Sequence, residues 1–343
     1  MKNSNYYLIT GGIGLIGANI IKKIFNNDKK AICVLLDNFT VYIDPLKSAY
    51  GDFRKNRFSD ILNHNEYIKS RTSKIIVERG NAADPRITTE LLEKYRPKII
   101  YHTAAMPLAR VNNPVCDEFR LGSVDTTTNL LECIGSFQMK ANYKLKRFLY
   151  ISSSMVYGDF KTHEVRENDE LNPKEIYGTM KLAGEIITKG MCRQYDIPYT
   201  IIRPSAVYGP TDMNQRVTQY FIEKAIAGEE LEIHGKNEKL DFTYVEDLAD
   251  GCVLAAESKK GENEVFNITF GSARSLLDYA QILKKHFKKL KYKIVPRDKY
   301  RPKRGTLNID KAKRLIGFKP KFNLEKGTEL YVKFIKKLKK TYL

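Results

Sequence analysis

The apolar run Tyr6 to Thr10 leads straight into Gly11-Gly12-Ile13-Gly14-Leu15-Ile16-Gly17, and helical spacing follows over Ala18 to Asn26. A glycine-punctuated turn between a buried strand and a helix leaves backbone N–H groups gathered at the helix start, where positive potential also accumulates. The spacing satisfies G-x-G-x-x-G at Gly12, Gly14 and Gly17, and G-x-x-G-x-x-G from Gly11. One such glycine permits the tight turn, one lets backbone approach a pyrophosphate, and one lets helix and strand pack closely. The motif alone is weak, but a strand before it and a helix after it are the context it requires.

The same alternation continues. Strand-like runs at Ala31 to Leu36, Lys74 to Glu78, Lys98 to His102, Phe148 to Ser152 and Tyr199 to Arg203 are interleaved with helical spacing at Thr88 to Tyr95, Ser123 to Phe137 and Ile176 to Tyr195. Near-continuous apolar strands separated by helices predict an α/β chain with a doubly wound parallel sheet of the Rossmann type. Val41 to Lys69 is polar and irregular and reads as an insertion. After Arg203, glycines and prolines become frequent and strands short, which predicts a smaller C-terminal α/β lobe that binds substrate. The expected division is 1–205 for the nucleotide-binding domain and 206–343 for the lobe, with 242–268 returning to the first.

Asp37 ends the second strand about 20 residues beyond the glycine turn, where a carboxylate can hold a ribose diol and repel a 2′-phosphate, favouring NAD over NADP. The cofactor assignment covers Gly11, Gly14, Leu15, Ile16 and Gly17 of the turn, and Asp37 with Asn38. Asn81 and Ala82 follow the third strand, where Asn81 can meet the adenine edge, and Asp84 reads as a cap. Ala104 and Ala105 follow the fourth strand, where small side chains suit either a flat ligand or ordinary packing.

Tyr177 and Lys181 are four apart at the start of a long helix and share a face. A free phenol has a pKa near about 10, and a neighbouring ammonium favours the phenolate needed to accept a hydroxyl proton. Tyr-x-x-x-Lys is common by chance. The cluster Ser152-Ser153-Ser154 at the end of the preceding strand strengthens it, since a hydroxyl there can share the proton and steady an oxyanion.

Lys plus Arg is 59 against 40 Asp plus Glu, a formal charge of +19. This excess fits an acidic ligand such as a diphosphate, a nucleic acid, or simply solvated basic faces. No zinc-finger spacing or RNA-binding aromatic signature accompanies it, so no nucleic-acid partner is expected. Five scattered cysteines suggest free thiols and a reducing compartment, and no metal site is expected. Leu8 to Ile20 is too glycine-punctuated for a leader, and no stretch is long and apolar enough to span a bilayer, so a cytoplasmic location is expected. Leu324 to Leu343 reads as a basic amphipathic helix, more in keeping with a solvated closing helix than a membrane-surface one.

The order of these segments resembles the extended short-chain dehydrogenase/reductase family, particularly its nucleotide-sugar epimerases and dehydratases. The matching pieces are Thr10–Gly17, Asp37-Asn38, Gly80-Asn81, His102–Ala105, SSSMVYG at 152–158, YGTMKLAGE at 177–185, RPSAVYGP at 203–210, DFTYVED at 241–247, and Arg301-Pro302. The resemblance implies catalytic roles for Ser153, Tyr177 and Lys181, the last two also touching the cofactor, and Pro204 beside the nicotinamide. It implies a nucleotide-diphosphate sugar held by Ser153, Ser154, Arg301 and, as a second phosphate or base contact, Arg216. It also implies a homodimer built through the helix that carries Tyr177.

Many 4,6-dehydratases carry acids just after the catalytic serine or threonine, where this chain has Ser154 and Met155. Elimination of water needs an added acid and base, whereas 4-epimerisation needs only reversible oxidation at C4. The expectation is therefore an NAD-dependent nucleotide-sugar 4-epimerase acting through a transient 4-keto intermediate. The alternatives are a C4 dehydrogenase/reductase or 4,6-dehydratase, and, in another class, a non-catalytic NAD-sensing regulator. Three positions depart from the family pattern, with Ser123, Ala206 and Leu240 where asparagine, asparagine and arginine are frequent.

Overall fold

A computed structural model describes residues 5–39, 74–105, 116–212, 214, 216–298 and 300–342. The expected insertion at Val41 to Lys69 lies outside the described residues. The strands β1 (Tyr6–Thr10), β2 (Ile32–Asp37), β3 (Lys74–Arg79), β4 (Ile99–His102), β5 (Arg147–Ile151), β6 (Tyr199–Arg203) and β7 (Glu264–Asn267) form a seven-stranded sheet ordered β7-β6-β5-β4-β1-β2-β3. Every neighbouring pair runs parallel.

The apolar runs alternate between two faces, as a strand period of two requires. Tyr7, Ile9, Cys33, Leu35, Ile99, Tyr101, Leu149 and Ile151 enter one buried cluster with the helices α1 (Leu15–Asn27) and α6 (Val245–Glu257). Leu8, Val34, Leu36, Ile100, Phe148 and Tyr150 enter the other. There they meet α2 (Pro85–Tyr95), α3 (Thr126–Lys140) and α4 (Ile176–Tyr195). Burial on both faces explains why these strands read as unbroken hydrophobic runs.

Tyr6–Thr10, Ile176–Tyr195 and Tyr199–Arg203 keep the limits read from the sequence. The first helix begins three residues earlier than Ala18, because the glycine turn itself supplies its N-cap, Gly14. The helical stretch from Ser123 is interrupted by a π-helical turn, Leu121–Asp125, before α3.

The chain does return to the sheet after Arg203. β7 pairs with β6, and α6 lies over the same face as α1. A second return joins them, with Ile309, Ala312, Ile316 and Phe318, around α8 (Asp310–Ile316), in the same buried cluster. The remaining late segments surround a third cluster. It is built by α5 (Val217–Ala227), α7 (Leu276–His286), the N-terminal half of α9 (Leu324–Tyr342) and short paired strands such as Leu231–His234 with Tyr292–Val295.

Beneath the carboxyl ends of β5 and β6 lies a buried ion pair. Arg203 grips Glu185 through Nε–Oε1 at 2.9 Å and Nη2–Oε2 at 2.7 Å, with both side chains 1% exposed. Ser152 also donates to Glu185, at 2.5 Å. Arg203 Nη1 donates to the Tyr157 hydroxyl at 3.0 Å, and that hydroxyl donates to Asn267 Oδ1 at 2.8 Å. Removing either ionic partner leaves a buried uncompensated charge, so Glu185→Leu or Arg203→Met alone is expected to cost about 3–5 kcal/mol in urea unfolding. The double variant is expected to lose clearly less than the sum of the two. Additive losses would show that the pair is not energetically coupled.

Candidate active site

The glycine turn follows β1 at the point where strand order reverses, β4 lying on one side of β1 and β2 on the other. That crevice, beyond the carboxyl ends of the strands, is where doubly wound sheets take ligands. Gly11 has φ +65°, and a Cβ there would stand 2.8 Å from the Ala104 Cα. A Cβ on Gly17 would stand 2.7 Å from the Gly11 carbonyl oxygen. The N-terminus of α1 receives no side-chain cap and has no acidic residue in its first turn. Its N–H groups therefore stay open to an anion.

Asp37 closes the cradle at the end of β2. Its carboxylate accepts from Ile13 N at 3.2 Å and from Phe39 N at 2.8 Å. Asn81 Oδ1 is used within the chain, accepting from Ala83 N at 3.0 Å. Asp84 caps α2 by accepting from Arg86 N. Asn38 is exposed and Ala82 is buried in the sheet–helix core. Ala104 N donates to Thr10 Oγ1 at 3.3 Å, so that alanine also serves the close approach of two backbones. His102 lies behind it, bonded to Thr10 Oγ1 at 2.7 Å and Thr127 Oγ1 at 3.0 Å, and burial pushes its pKa down to about 3. Glycines that no Cβ could replace, an uncapped helix start and a carboxylate at the second strand end together fit a bound NAD.

From the cradle a cavity of about 460 Å³ runs toward the smaller lobe. Its walls bring together Ile16, Ala105, Ser153, Ser154, Tyr177, Lys181, Pro204, Arg216 and Arg301 of the residues read from the sequence. Gly11, Gly14, Leu15, Gly17, Asp37, Asn38, Asn81, Ala82 and Ala104 are not in these walls. Ser153 N-caps the 3₁₀ turn Ser154–Tyr157, accepting from Met155 N at 3.2 Å, and its hydroxyl lowers the proton affinity of the Tyr177 phenol. Ser154 N donates to the Pro204 carbonyl at 2.8 Å, locking the serine strand end to the end of β6.

Lys181 reaches its place because α4 crosses β5 closely; a Cβ on Gly184 would collide with the Tyr150 hydroxyl. Its Nζ donates to the Ile151 carbonyl at 2.9 Å. Burial pushes the Lys181 pKa from 10.5 down to about 7, against the upward pull of Glu185. Burial likewise raises the Tyr177 phenol, with Arg216 and the Ser153 bond pulling it down and Glu175 pushing it up. Lys181 is turned to a backbone carbonyl, and Arg216 is a cation that lowers the proton affinity of the Tyr177 phenol. That guanidinium is held by the Val207 carbonyl at 3.0 Å, with Asp212 Oδ2 at 3.9 Å.

The substitutions at 206 and 240 acquire physical meaning here. Ala206 lies on the cavity wall with φ +38°, a left-handed conformation that asparagine tolerates better than alanine. Leu240 lines the same cavity and is buried. The sequence reading missed Arg304, which also lines the cavity and has no hydrogen bond or ion pair among the described residues. Burial and the charge of Arg301 hold its pKa down, to about 10. The available signal was a second arginine three residues past Arg301.

A dinucleotide-binding sheet joined to a tyrosine–lysine–serine cavity defines a nucleotide-dependent enzyme of the doubly wound class. The model of the NAD-dependent epimerase/dehydratase family matches residues 7–269, and the chain belongs to that family. It is 30% identical over 346 residues to a putative UDP-glucose 4-epimerase of Methanocaldococcus jannaschii, covering 97% of this chain and 99% of the relative. It is 24% identical over 347 residues to a dTDP-glucose 4,6-dehydratase of Haemophilus influenzae, covering 95% and 96%. Among solved structures, UDP-glucuronic acid 4-epimerase from Bacillus cereus, in complex with UDP-glucuronic acid and NAD, superimposes with a TM-score of 0.83 at 27% identity. That match covers 97% of this chain and 99% of the other.

Gly17→Val is expected to weaken NAD binding by about tenfold or more in calorimetric titration, the result of forcing a branched side chain against backbone. Unchanged affinity would remove the turn from cofactor binding. Lys181 yields a pH signature. Its proton is held less tightly folded, near 7, than at its ordinary 10.5, so between those values the unfolded chain binds more protons. Its contribution to stability therefore grows as pH rises through that window and is lost as pH falls toward 7. Urea midpoints at pH 7 and pH 9.5 are expected to rise more in the wild type than in Lys181→Met.

Proposed function

We propose that the protein is a nucleotide-sugar 4-epimerase. The observation that carries the reading is the gathering of Ser153, Tyr177 and Lys181 in one cavity with Arg216, Arg301 and Arg304, with no acid at the two positions after Ser153. The cradle residues Gly11, Gly14, Leu15, Ile16 and Gly17, with Asp37 and Asn38, would hold NAD, and Pro204 and Ala105 would flank its nicotinamide end. Bound NAD supplies an acceptor for the hydride leaving C4 and a donor for its return. Tyr177 as phenolate accepts the proton of the 4-hydroxyl and later gives it back. Ser153, on the same cavity wall as that phenol, donates to the oxygen at C4 as it becomes a carbonyl. Arg216 steadies the phenolate across the cavity, and Lys181 holds the nicotinamide ribose while anchored on Ile151.

Arg301 and Arg304 would take the diphosphate. Two neighbouring guanidiniums facing a cavity repel each other and are satisfied by a ligand carrying two negative charges. The sugar can then turn between the departure and return of hydride, which inverts C4 with no net redox change. The kinship with UDP-glucose and UDP-glucuronic acid 4-epimerases supports this reading, while Ser154 and Met155 weigh against dehydration.

A homodimer through α4 accompanies the proposal. Ile176 and Ile186 on that helix and Met139 at the end of α3 are exposed at 45%, 64% and 72%. Large apolar side chains left on adjacent helices suit a helix-pair interface. No described helix is long and apolar enough to cross a membrane. With five free cysteines, a cytoplasmic location is the compartment we assign.

The test is incubation with a panel of nucleotide sugars followed by NMR of the product. Inversion at C4 without accumulating NADH is expected. Stoichiometric NADH or a 4-keto-6-deoxy product would overturn the assignment. Tyr177→Phe is expected to lower turnover about 10²–10⁴-fold, as loss of a general base does, with NAD affinity within about twofold of wild type.

A further inference from the structure

Four carboxylates line the cavity: Glu175, Glu232, Glu238 and Asp298. Three have cationic partners. Glu232 binds Lys293 at 2.8 Å, Glu238 binds Arg297 at 2.5 Å, and Asp298 binds Arg301 at 3.3 Å. Glu175 has neither a hydrogen bond through its side chain nor an ion pair among the described residues, although it is half-buried. A carboxylate kept out of bulk water without a partner is costly unless something else satisfies it.

Its place in the chain is also unfavourable on local grounds. Glu175 is the N-cap of α4, and its side chain makes no capping bond. Serine, threonine, aspartate or asparagine would cap that helix better. A local rule broken beside a functional residue usually marks a functional demand.

The surroundings specify that demand. Glu175 stands two residues before Tyr177 and acts on its phenol. It is also acted on by Arg304 and Arg301, which draw its pKa down, and by burial and Asp298, which raise it. It shares the wall of one cavity with the phenol and with both arginines. If C4 of the sugar meets Tyr177 and the diphosphate meets the arginines, the groups between those ends are the substituents of the ring itself.

We propose that Glu175 is the specificity-determining residue of the sugar subsite, accepting hydrogen bonds from hydroxyl or ammonium groups of the sugar and turning away a sugar that carries its own carboxylate. This rests on the reading of the cavity as a nucleotide-sugar site. It separates the chain from the Bacillus cereus neighbour solved with UDP-glucuronic acid. Two carboxylates facing each other in a confined cavity repel strongly, whereas a carboxylate facing hydroxyls makes charge-assisted hydrogen bonds.

The test is calorimetric binding to the full, NAD-loaded chain. Glucose and glucuronic acid are compared in their UDP and dTDP forms, with UDP and dTDP alone as controls. The wild type is expected to bind the hexose form about tenfold or more tighter than the uronic form, the scale of one mispaired charge. In Glu175→Gln the ratio is expected to shrink to within about threefold, with affinity for the bare diphosphate moving less than about twofold. Glu175→Ser, which restores a good N-cap, is expected to give the same loss of discrimination in a chain at least as stable as wild type. Equal or tighter binding of the uronic form by the wild type would overturn the proposal, as would a ratio unmoved by both substitutions. The ratio is read from binding. A chain that discriminates as stated but epimerises neither sugar upholds Glu175 and sinks the 4-epimerase assignment. C4 inversion with no discrimination does the reverse.

Discussion

Arg203 and Glu185 face each other where no water reaches them, and the floor of the cavity is assembled on that contact. Glu185 belongs to α4, one turn beyond Lys181 and two beyond Tyr177, while Arg203 ends β6 immediately before Pro204. Ser152 adds the end of β5, and through Tyr157 the network reaches Asn267 at the end of β7. A bidentate guanidinium–carboxylate pair admits little rotation. It therefore sets the height of α4 over the sheet and, with it, the distance from the phenol to the serine strand end. An apolar contact could supply similar stability, but it would permit sliding along the helix axis.

Above that floor the cavity concentrates opposed electrostatic demands. Burial strips Lys181 of much of its charge and holds the proton on Tyr177, while Arg216 pulls the phenol the other way. The result is a pair of groups whose affinities for a proton lie further apart than in water, the phenol holding its proton and the lysine releasing its own. The arginine pair and Glu175 extend the same logic, two cations and a carboxylate without an ion pair lining one cavity.

The departures from the family pattern read as linked in this light. Leu240 removes a cation from one wall, and Arg304 supplies one from the loop that also carries Arg301. Ala206 keeps a left-handed backbone without the asparagine side chain that favours it, which leaves a smaller group on the cavity wall. Together these differences alter the shape and charge of the cavity that Ser153, Tyr177 and Lys181 line.

Much of this was legible in the chain itself. Strands buried on both faces must be apolar throughout, so the sheet could be read from runs such as Tyr6 to Thr10 and Tyr199 to Arg203. The glycine turn could be read because no other residue tolerates its conformation and its backbone approaches. Tyr177 and Lys181 shared a face by helical spacing alone. Three features were decided only by the tertiary structure: that Arg216 joins Tyr177 and Lys181 on one cavity wall, that Arg304 enters the same cavity, and that Glu175 lines it without an ion pair among the described residues. Local sequence encodes periodicity and backbone tolerance. The partners of a buried charge depend on groups far away in the chain, and only folding brings those groups to one cavity.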